Sequence, residues 1–218
     1  MSAEAQSPLR EAWRMFRRNV PALVGTAILL TIILITLYGT FIYGADPYDI
    51  VWAPHEPPGV TPEFPLGTDY LGRDLIAGLI TGGGPTLAVG AAAAALTMVI
   101  GVTLGALAGY FGGWVGGVLM RFTDLMMAFP ALLLAICLAA IFQPSLWIVA
   151  LVIAMVNWVQ TARVLYTETT SLAEREFVAA TRALGAGHGR ILFLHILPHL
   201  VPTIIVWGTL GISTTVLL

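Results

Sequence analysis

Residues 20–43 read VPALVGTAILLTIILITLYGTFIY. No charged side chain interrupts the run. A helix needs roughly 20 apolar residues to cross the hydrocarbon core of a bilayer, so this stretch alone places the chain in a membrane. Arg10, Arg14, Arg17 and Arg18 stand ahead of it. The run is longer than a signal peptide's apolar core of roughly 7–15 residues, and no small-residue cleavage pattern follows it. We read it as a retained first span.

Working outward, four more segments are long and apolar enough to cross: about 82–109, 118–142 (with Pro130 inside it), 145–166, and a last one that starts near Ile191 and is still apolar at Leu218. The sequence therefore predicts an all-α, polytopic transmembrane helical bundle with about five spans. Composition agrees. Of 218 residues, 58% are hydrophobic and only 10% charged, where soluble domains carry about 25% charge. In the second span Gly101, Gly105 and Gly109 fall at i, i+4, i+8. Such a stripe lets another helix backbone approach closely; general richness in small residues would also produce it. The single cysteine, Cys137, rules out an internal disulfide and sits in an apolar run.

Positive charge sets orientation in membranes. All ten basic residues are arginine, and with the N terminus cytoplasmic nine of them fall at or near the inner side, leaving only Arg73 outside. The chain then divides into a cytoplasmic amphipathic segment 1–19, the first span 20–43, an external Pro-rich loop 44–81, and a membrane core 82–218 with a cytoplasmic loop at 167–190. In the first segment Trp13 and Phe16 lie among Arg14, Arg17 and Arg18, which suits a helix lying along the membrane surface; a plain positive flank that fixes topology is the alternative. The outer loop carries six prolines, which exclude one regular element.

Loop 167–190 reads TETTSLAEREFVAATRALGAGHGR. Ser171 followed by Glu174 forms a capping box. Phe177, Ala180 and Leu184 then recur on one helical face, and Gly185 and Gly187 end the run. A helix over 171–185 is expected, with an apolar face that needs a partner.

These residues carry a resemblance. Glu176 to Gly185, followed by His195-Ile196-Leu197-Pro198, resembles the EAA loop of ABC-importer permeases, whose pattern is E-A-A, three residues, G, nine residues, I-x-L-P. Ala179 stands at the Glu position, Thr181 at the second Ala and His195 at the Ile. A salt bridge from the family's glutamate to the ATPase is thus missing at position 179, and Glu176, one turn earlier, is the acid nearest to replacing it. Phe64-Pro65-Leu66-Gly67-Thr68-Asp69-Tyr70-Leu71-Gly72-Arg73-Asp74 is similar to the H-P-L-G-T-D-x-x-G-R-D signature of dipeptide, oligopeptide and nickel permeases, with Phe64 in place of His. Ala108 to Trp114, Met120-Arg121 and Ala128-Phe129-Pro130 match the same group. Over residues 64–202 the chain is identified as a member of the C-type (OppC/DppC-like) permeases of peptide/nickel-class importers.

The resemblance implies a permease of an ATP-driven importer for di- or oligopeptides or nickel, in a bacterial or archaeal inner membrane. It implies a second homologous permease subunit, two ATPase subunits that hold ATP and Mg, and an extracytoplasmic substrate-binding protein. Glu176, Phe177, Ala180, Thr181, Arg182, Leu184 and Gly185 would form the helix that seats in the ATPase. Members usually have six spans and this chain reaches Leu218 within the fifth, so we expect either a piece of a longer chain or a lost sixth span.

Within the spans, Asp124 is a candidate for the translocation path, although Arg121 three residues earlier predicts an ion pair on one helix face. Asn157 and Gln160 could line a polar path or make interhelical hydrogen bonds. In the external motif Leu66, Gly67, Thr68, Asp69, Gly72, Arg73 and Asp74 would brace the loop by local pairing or meet the binding protein. His188, His195 and His199 invite a metal reading, but we expect no metal or cofactor on this chain. There is no G-x-x-x-x-G-K-[ST] loop, no nucleophile–base arrangement and no basic cluster for nucleic acid. An ion-coupled secondary transporter or a membrane assembly factor is the alternative. The former would show unpaired intramembrane acids and an internal repeat, and neither is evident.

Overall fold

The computed structural model describes residues 8–217. Residues 1–7 of the expected N-terminal segment, and Leu218, lie outside this range. Among the described residues the regular elements are all helices, and the only β pairing is two isolated bridges in the loop between residues 44 and 74, Ile50–Arg73 and Thr68–Asp74. Two compact units divide near Pro85.

The first unit opens with α1 (Pro8–Arg18), which carries Glu11 in its first turn and Arg17 and Arg18 in its last, matching the helix dipole at both ends. Asn19 breaks the helix and caps the next. Its side chain accepts from the Ala22 N–H at 3.1 Å, and α2 runs Val20–Tyr43, the span expected from sequence. Gly44 ends it in the left-handed region, φ 64°.

The external loop is shorter than expected, because α3 begins at Leu75 and runs to Phe111. Asp74 starts it by accepting from the Ile76 N–H at 2.9 Å. The Gly82-Gly83-Gly84 run does not break this helix. A Cβ on Gly83 would lie 2.5 Å from Thr36 Oγ1, so glycine there permits close approach to α2.

In the second unit α3 packs on α6 (Leu146–Ala173), whose N-cap Ser145 accepts from the Ile148 N–H. Gly101 faces Thr161 and the Trp158 carbonyl, Gly105 faces Ala162 and Leu165, and Gly109 faces Tyr166 and Thr169. Both numberings rise together, so the two helices run parallel, and the glycine stripe is their contact. Helix α6 extends seven residues beyond the expected end. Thr167 and Thr170 donate their hydroxyls to the Arg163 and Tyr166 carbonyls one turn back, so a run that reads as polar loop is satisfied inside a helix.

The expected third span is two helices, α4 (Gly113–Ala128) and α5 (Ala131–Ile141), meeting at 90°. Pro130 removes a donor and forces Phe129 into extended backbone, φ −89° and ψ 132°. Among the described residues four helices are thus long and apolar enough to cross a membrane, giving up to five spans if the bent pair is one. The expected capping box is also corrected. Ser171 lies inside α6, and the cytoplasmic-loop helix is only α7 (Glu176–Ala183), led by Arg175 without a side-chain cap. Gly185 turns the chain at φ 84°, while Gly187 precedes the next helix rather than ending α7. That next helix, α8 (His188–Ile191), passes through a π turn at Leu192–Ile196 into α9 (Leu197–Leu217). The Leu197 N–H reaches back to the Leu192 carbonyl just before Pro198, which has no N–H to give.

Candidate functional site

Three groups of side chains bear on function. The first is α7. Val178 is 0% exposed and lies in one apolar cluster with Tyr110, Leu165, Ile191, Ile196 and Leu200. One side chain of α7 is therefore rooted in a core supplied by α3, α6 and the α8–α9 segment. Periodicity hid it, since Val178 is off the Phe177, Ala180, Leu184 spacing. Phe177 is not free for a partner, because it is half-buried and stacks on His199 with ring centroids 5.2 Å apart. The outward surface is Glu176, Ala180, Arg182 and Leu184, the last 88% exposed. Thr181 donates its hydroxyl to the Phe177 carbonyl at 2.7 Å, so its polar atom is spent locally. The three histidines do not converge on one point, and two of their rings have partners of their own. His188 Nδ1 lies 2.9 Å from the Tyr110 hydroxyl, and His199 Nδ1 lies 2.7 Å from the His195 carbonyl oxygen.

The second group sits where α4 crosses α6. Asp124 pairs with Arg163 on α6, not with Arg121. Helix α4 runs antiparallel to α6, since Gly116 lies near Tyr166 and Phe122 stacks on Trp158. That places Asp124 toward α6, and its partner is there rather than one turn back along α4. Arg163 was legible as a charge but not as a partner, because pairing between helices 39 residues apart leaves no local spacing. Gln160, one turn before Arg163, lines a cavity of about 290 Å³ with Met126, Phe129, Pro130 and Met155 at the α4–α5 bend. Asn157 is half-buried on the same helix but does not line this cavity. Asp124, Asn157 and Gln160 are thus three positions near one helix crossing, and only Gln160 reaches the cavity.

The third group is the external motif. Thr68 is buried, donates its hydroxyl to the Ala53 carbonyl at 2.6 Å and accepts from the Glu56 N–H at 3.0 Å. Asp69 Oδ1 accepts from the backbone N–H groups of Leu71 (2.7 Å) and Arg73 (2.9 Å). These donors, the Arg73 N–H foremost, with the Arg73 charge nearby, hold the Asp69 carboxyl below the usual carboxylate range. The guanidinium of Arg73 lies 5.8 Å over the Tyr48 ring instead of on Asp69. Asp74, 2% exposed, caps α3 with one oxygen and accepts from the Tyr43 hydroxyl at 2.5 Å with the other, tying the end of α2 to the start of α3. Gly67 and Gly72 have φ near 76° and 79°, and a Cβ on either would run into a carbonyl oxygen, of Glu56 and Trp52 respectively. Leu66 is exposed at the surface.

The comparisons agree with this architecture. Residues 101–217 match the model of the binding-protein-dependent transport system inner membrane component, and residues 7–58 match the N-terminal TM domain of oligopeptide transport permease C. The dipeptide transport system permease protein DppC of Alkalihalophilus pseudofirmus is 38% identical over 213 residues, 98% of this chain and 70% of that protein. The oligopeptide transport system permease protein OppC of Bacillus subtilis is 32% identical over 218 residues, 99% of this chain and 70% of that protein. The glutathione transport system permease protein GsiD of Pectobacterium atrosepticum is 33% identical over 214 residues, with 97% and 70% covered. With its membrane helices, its helix rooted between α6 and α8, and matches over nearly its whole length, this chain belongs to the binding-protein-dependent transport system inner membrane component family, as an ABC-transporter permease of the OppC/DppC kind.

Proposed function

We propose that this chain forms part of the translocation path of a peptide importer and that α7 is where ATP-driven motion enters it. The observation that carries the reading is the division of labour on α7. Val178 is fully buried in a cluster drawn from several membrane helices, while Leu184 is 88% exposed and Ala180 faces outward beside it. A short helix fastened to the membrane core on one side and apolar on the other suits docking into a groove of a partner. Gly185, with open space around it and positive φ, lets the chain turn straight back toward α8. Glu176, Phe177, Thr181 and Arg182 complete this element, Phe177 and Thr181 by fixing its shape and Glu176 and Arg182 as exposed charges at its rim.

The partners we assign are a second homologous permease, two ATPase subunits carrying ATP and Mg, and an extracytoplasmic substrate-binding protein. No cofactor is assigned to this chain. Peptide as substrate is supported by the names of its relatives, dipeptide and oligopeptide permeases. Asp124, Asn157 and Gln160 are placed on or near the path. The external motif from Leu66 to Asp74 is a structural clasp whose outer surface would face the binding protein. The bias of arginine toward one side supports a cytoplasmic N terminus in a bacterial or archaeal inner membrane.

The test is Leu184→Asp. Because this side chain is exposed, the variant should insert and fold as the wild type does. It should lose copurifying ATPase, or lose uptake while ATP hydrolysis continues. Wild-type uptake with the ATPase still bound would refute α7 as the coupling element.

A further inference from the structure

We propose that the groove between the Tyr48 loop and the start of α3 holds one ethanolamine phospholipid, Arg73 taking its phosphate, Asp69 its ammonium group, and the face of α3 below them one acyl chain. The groove lies wholly within the first unit, and the proposal is independent of what the transporter carries.

Position is the first argument. The groove is a cavity of about 430 Å³, headed by Tyr48, Asp69 and Arg73 and walled along its length by Leu75, Leu79 and Pro85. Register with α2 sets its depth. Tyr43, the last residue of α2, donates to Asp74; Gly39 meets Ile80; and Thr36 lies against Gly83. The head is therefore level with the end of the apolar run Val20–Tyr43, and the rest lies beside apolar turns of that run. From Leu75 to Pro85 the groove descends about 15 Å, half of a hydrocarbon core about 30 Å thick and so the depth of one leaflet. Tyr48 at its head suits the membrane–water boundary, where aromatic rings with a polar tip collect.

Charge is the second argument. Among the described residues Arg73 makes no ion pair. Its guanidinium lies over the Tyr48 ring, and its Nε is buried without a hydrogen-bond partner. A buried donor left without an acceptor is costly, and a phosphate oxygen is a strong acceptor for a guanidinium. Asp74 also borders the head, but the Tyr43 hydroxyl and the Ile76 N–H take its two oxygens. Asp69 spends Oδ1 on the N–H groups of Leu71 and Arg73 and still brings a carboxylate to the rim. The head thus offers opposite charges that are not joined to each other. A phosphate alone would meet Arg73 and be repelled by Asp69, whereas a phosphate and a primary ammonium in one headgroup satisfy both.

The floor is the third argument. A Cβ added at Gly78 or Gly82 would meet nothing within 4 Å, so no contact among the described residues requires glycine there, in contrast to Gly83, which admits α2. The two glycines bare a strip of α3 between Leu75, Leu79 and Pro85, a channel that an apolar chain can follow. A helix from another subunit would cover the strip but brings no phosphate to Arg73. An acidic side chain of a soluble protein would reach Arg73 but does not descend into hydrocarbon. A phospholipid occupies both ends.

The experiment is native mass spectrometry of this chain purified with the subunits that accompany it, stripped of lipid and titrated with phosphatidylethanolamine, phosphatidylglycerol, or glycerophosphoethanolamine, the headgroup without chains. The wild type should bind one phosphatidylethanolamine more tightly than phosphatidylglycerol. R73Q should weaken both lipids by about tenfold, the loss of one charge-assisted hydrogen bond. R73K keeps the charge and should recover most of that affinity; R73K no better than R73Q would leave Arg73 a packing role and overturn the proposal. D69N should weaken phosphatidylethanolamine alone and so abolish the preference between the lipids. G78L fills the groove from its floor, away from the loop, and should weaken both. Wild-type affinities in R73Q, D69N and G78L would overturn the proposal. So would displacement of the lipid by glycerophosphoethanolamine at equal concentration, since the groove would then take no chain. If G78L instead releases the accompanying subunits, a helix fills the groove and the lipid proposal falls.

Discussion

Replacing Gly105 with alanine should separate α3 from α6. The new Cβ would lie 2.5 Å from the Ala162 carbonyl oxygen, 2.9 Å from Leu165 Cβ and 3.1 Å from Ala162 Cα. Two of these three are backbone atoms of α6, so no side chain can rotate away to make room. Tilting gives no escape either, because a Cβ at Gly101 or Gly109 would meet Thr161 and Tyr166 at 2.7 and 2.6 Å. The helices must move apart by about 0.5–1 Å, which forfeits roughly a quarter to a half of each dispersion contact along the stripe. Overpacking of this kind costs about 1–3 kcal/mol, and alanine returns about 0.5–1 kcal/mol through helix propensity. We expect a net loss of about 1–2 kcal/mol. The matched control is Gly117→Ala in α4, where a Cβ meets nothing within 4 Å; it should gain about 0.5–1 kcal/mol. Heating the purified transporter in detergent and measuring the folded fraction by gel filtration reads both. If Gly105→Ala survives to the same temperature as Gly117→Ala, the glycine stripe is not the α3–α6 contact and its spacing reflects composition alone.

Gly72→Ala forces a side chain into φ 79° and against the Trp52 carbonyl; the strain of about 1–3 kcal/mol should open the external loop and speed its cleavage by limited proteolysis between residues 44 and 74. Asp69 gives the same loop an acid sensitivity. Its folded-state pKa is lowered, so the unfolded loop binds more protons as pH falls. The stabilisation is full above the ordinary carboxylate pKa near 4 and is lost as pH drops through the lower folded value. Proteolysis should therefore quicken below about pH 4 in the wild type, and Asp69→Asn should flatten that dependence. Equal pH profiles in the two would show that the backbone hydrogen bonds to Asp69 do not hold the loop.

Membrane crossing was legible because it depends on local composition. The first span, Val20–Tyr43, carries its own cap at Asn19 and its own stop at Gly44, and sequence and structure agree on both ends. Where the structure departs, a partner distant in sequence or a backbone effect decides. The threonines after Thr167 look like loop until their hydroxyls are seen returning to carbonyls one turn back. The bend at Phe129–Pro130 needs more than a proline, since Pro85 and Pro202 lie inside α3 and α9 without ending either helix. Asp124 has an arginine at the right spacing on its own helix and takes another from α6. The family motifs pointed to α7 and to the external clasp, but not to Val178, whose burial depends on residues from 106 to 200.

That burial bears on how motion would travel. Val178 shares one cluster with Ala106 and Tyr110 of α3, Leu165 of α6, and Ile191, Ile196 and Leu200 of the α8–α9 segment. The glycine stripe closes α3 onto α6 with backbone against backbone, and Thr203 of α9 donates to Glu168 of α6 at 2.8 Å. A displacement of α7 is therefore applied to three membrane helices together, not to one that could bend and absorb it. Packed interfaces of this density shift as units between discrete arrangements instead of deforming continuously. Within the second unit the α4–α5 elbow is differently built. Its Phe129 N–H reaches only the Met126 carbonyl, at 3.4 Å, Pro130 has no N–H to give, and the elbow adjoins the cavity that Gln160 lines. The Asp124–Arg163 pair joins the rigid body, at α6, to α4 just before that elbow. A rotation of α6 against α4 would strain or part this pair, so the ion pair lies where the rigid body meets the elbow.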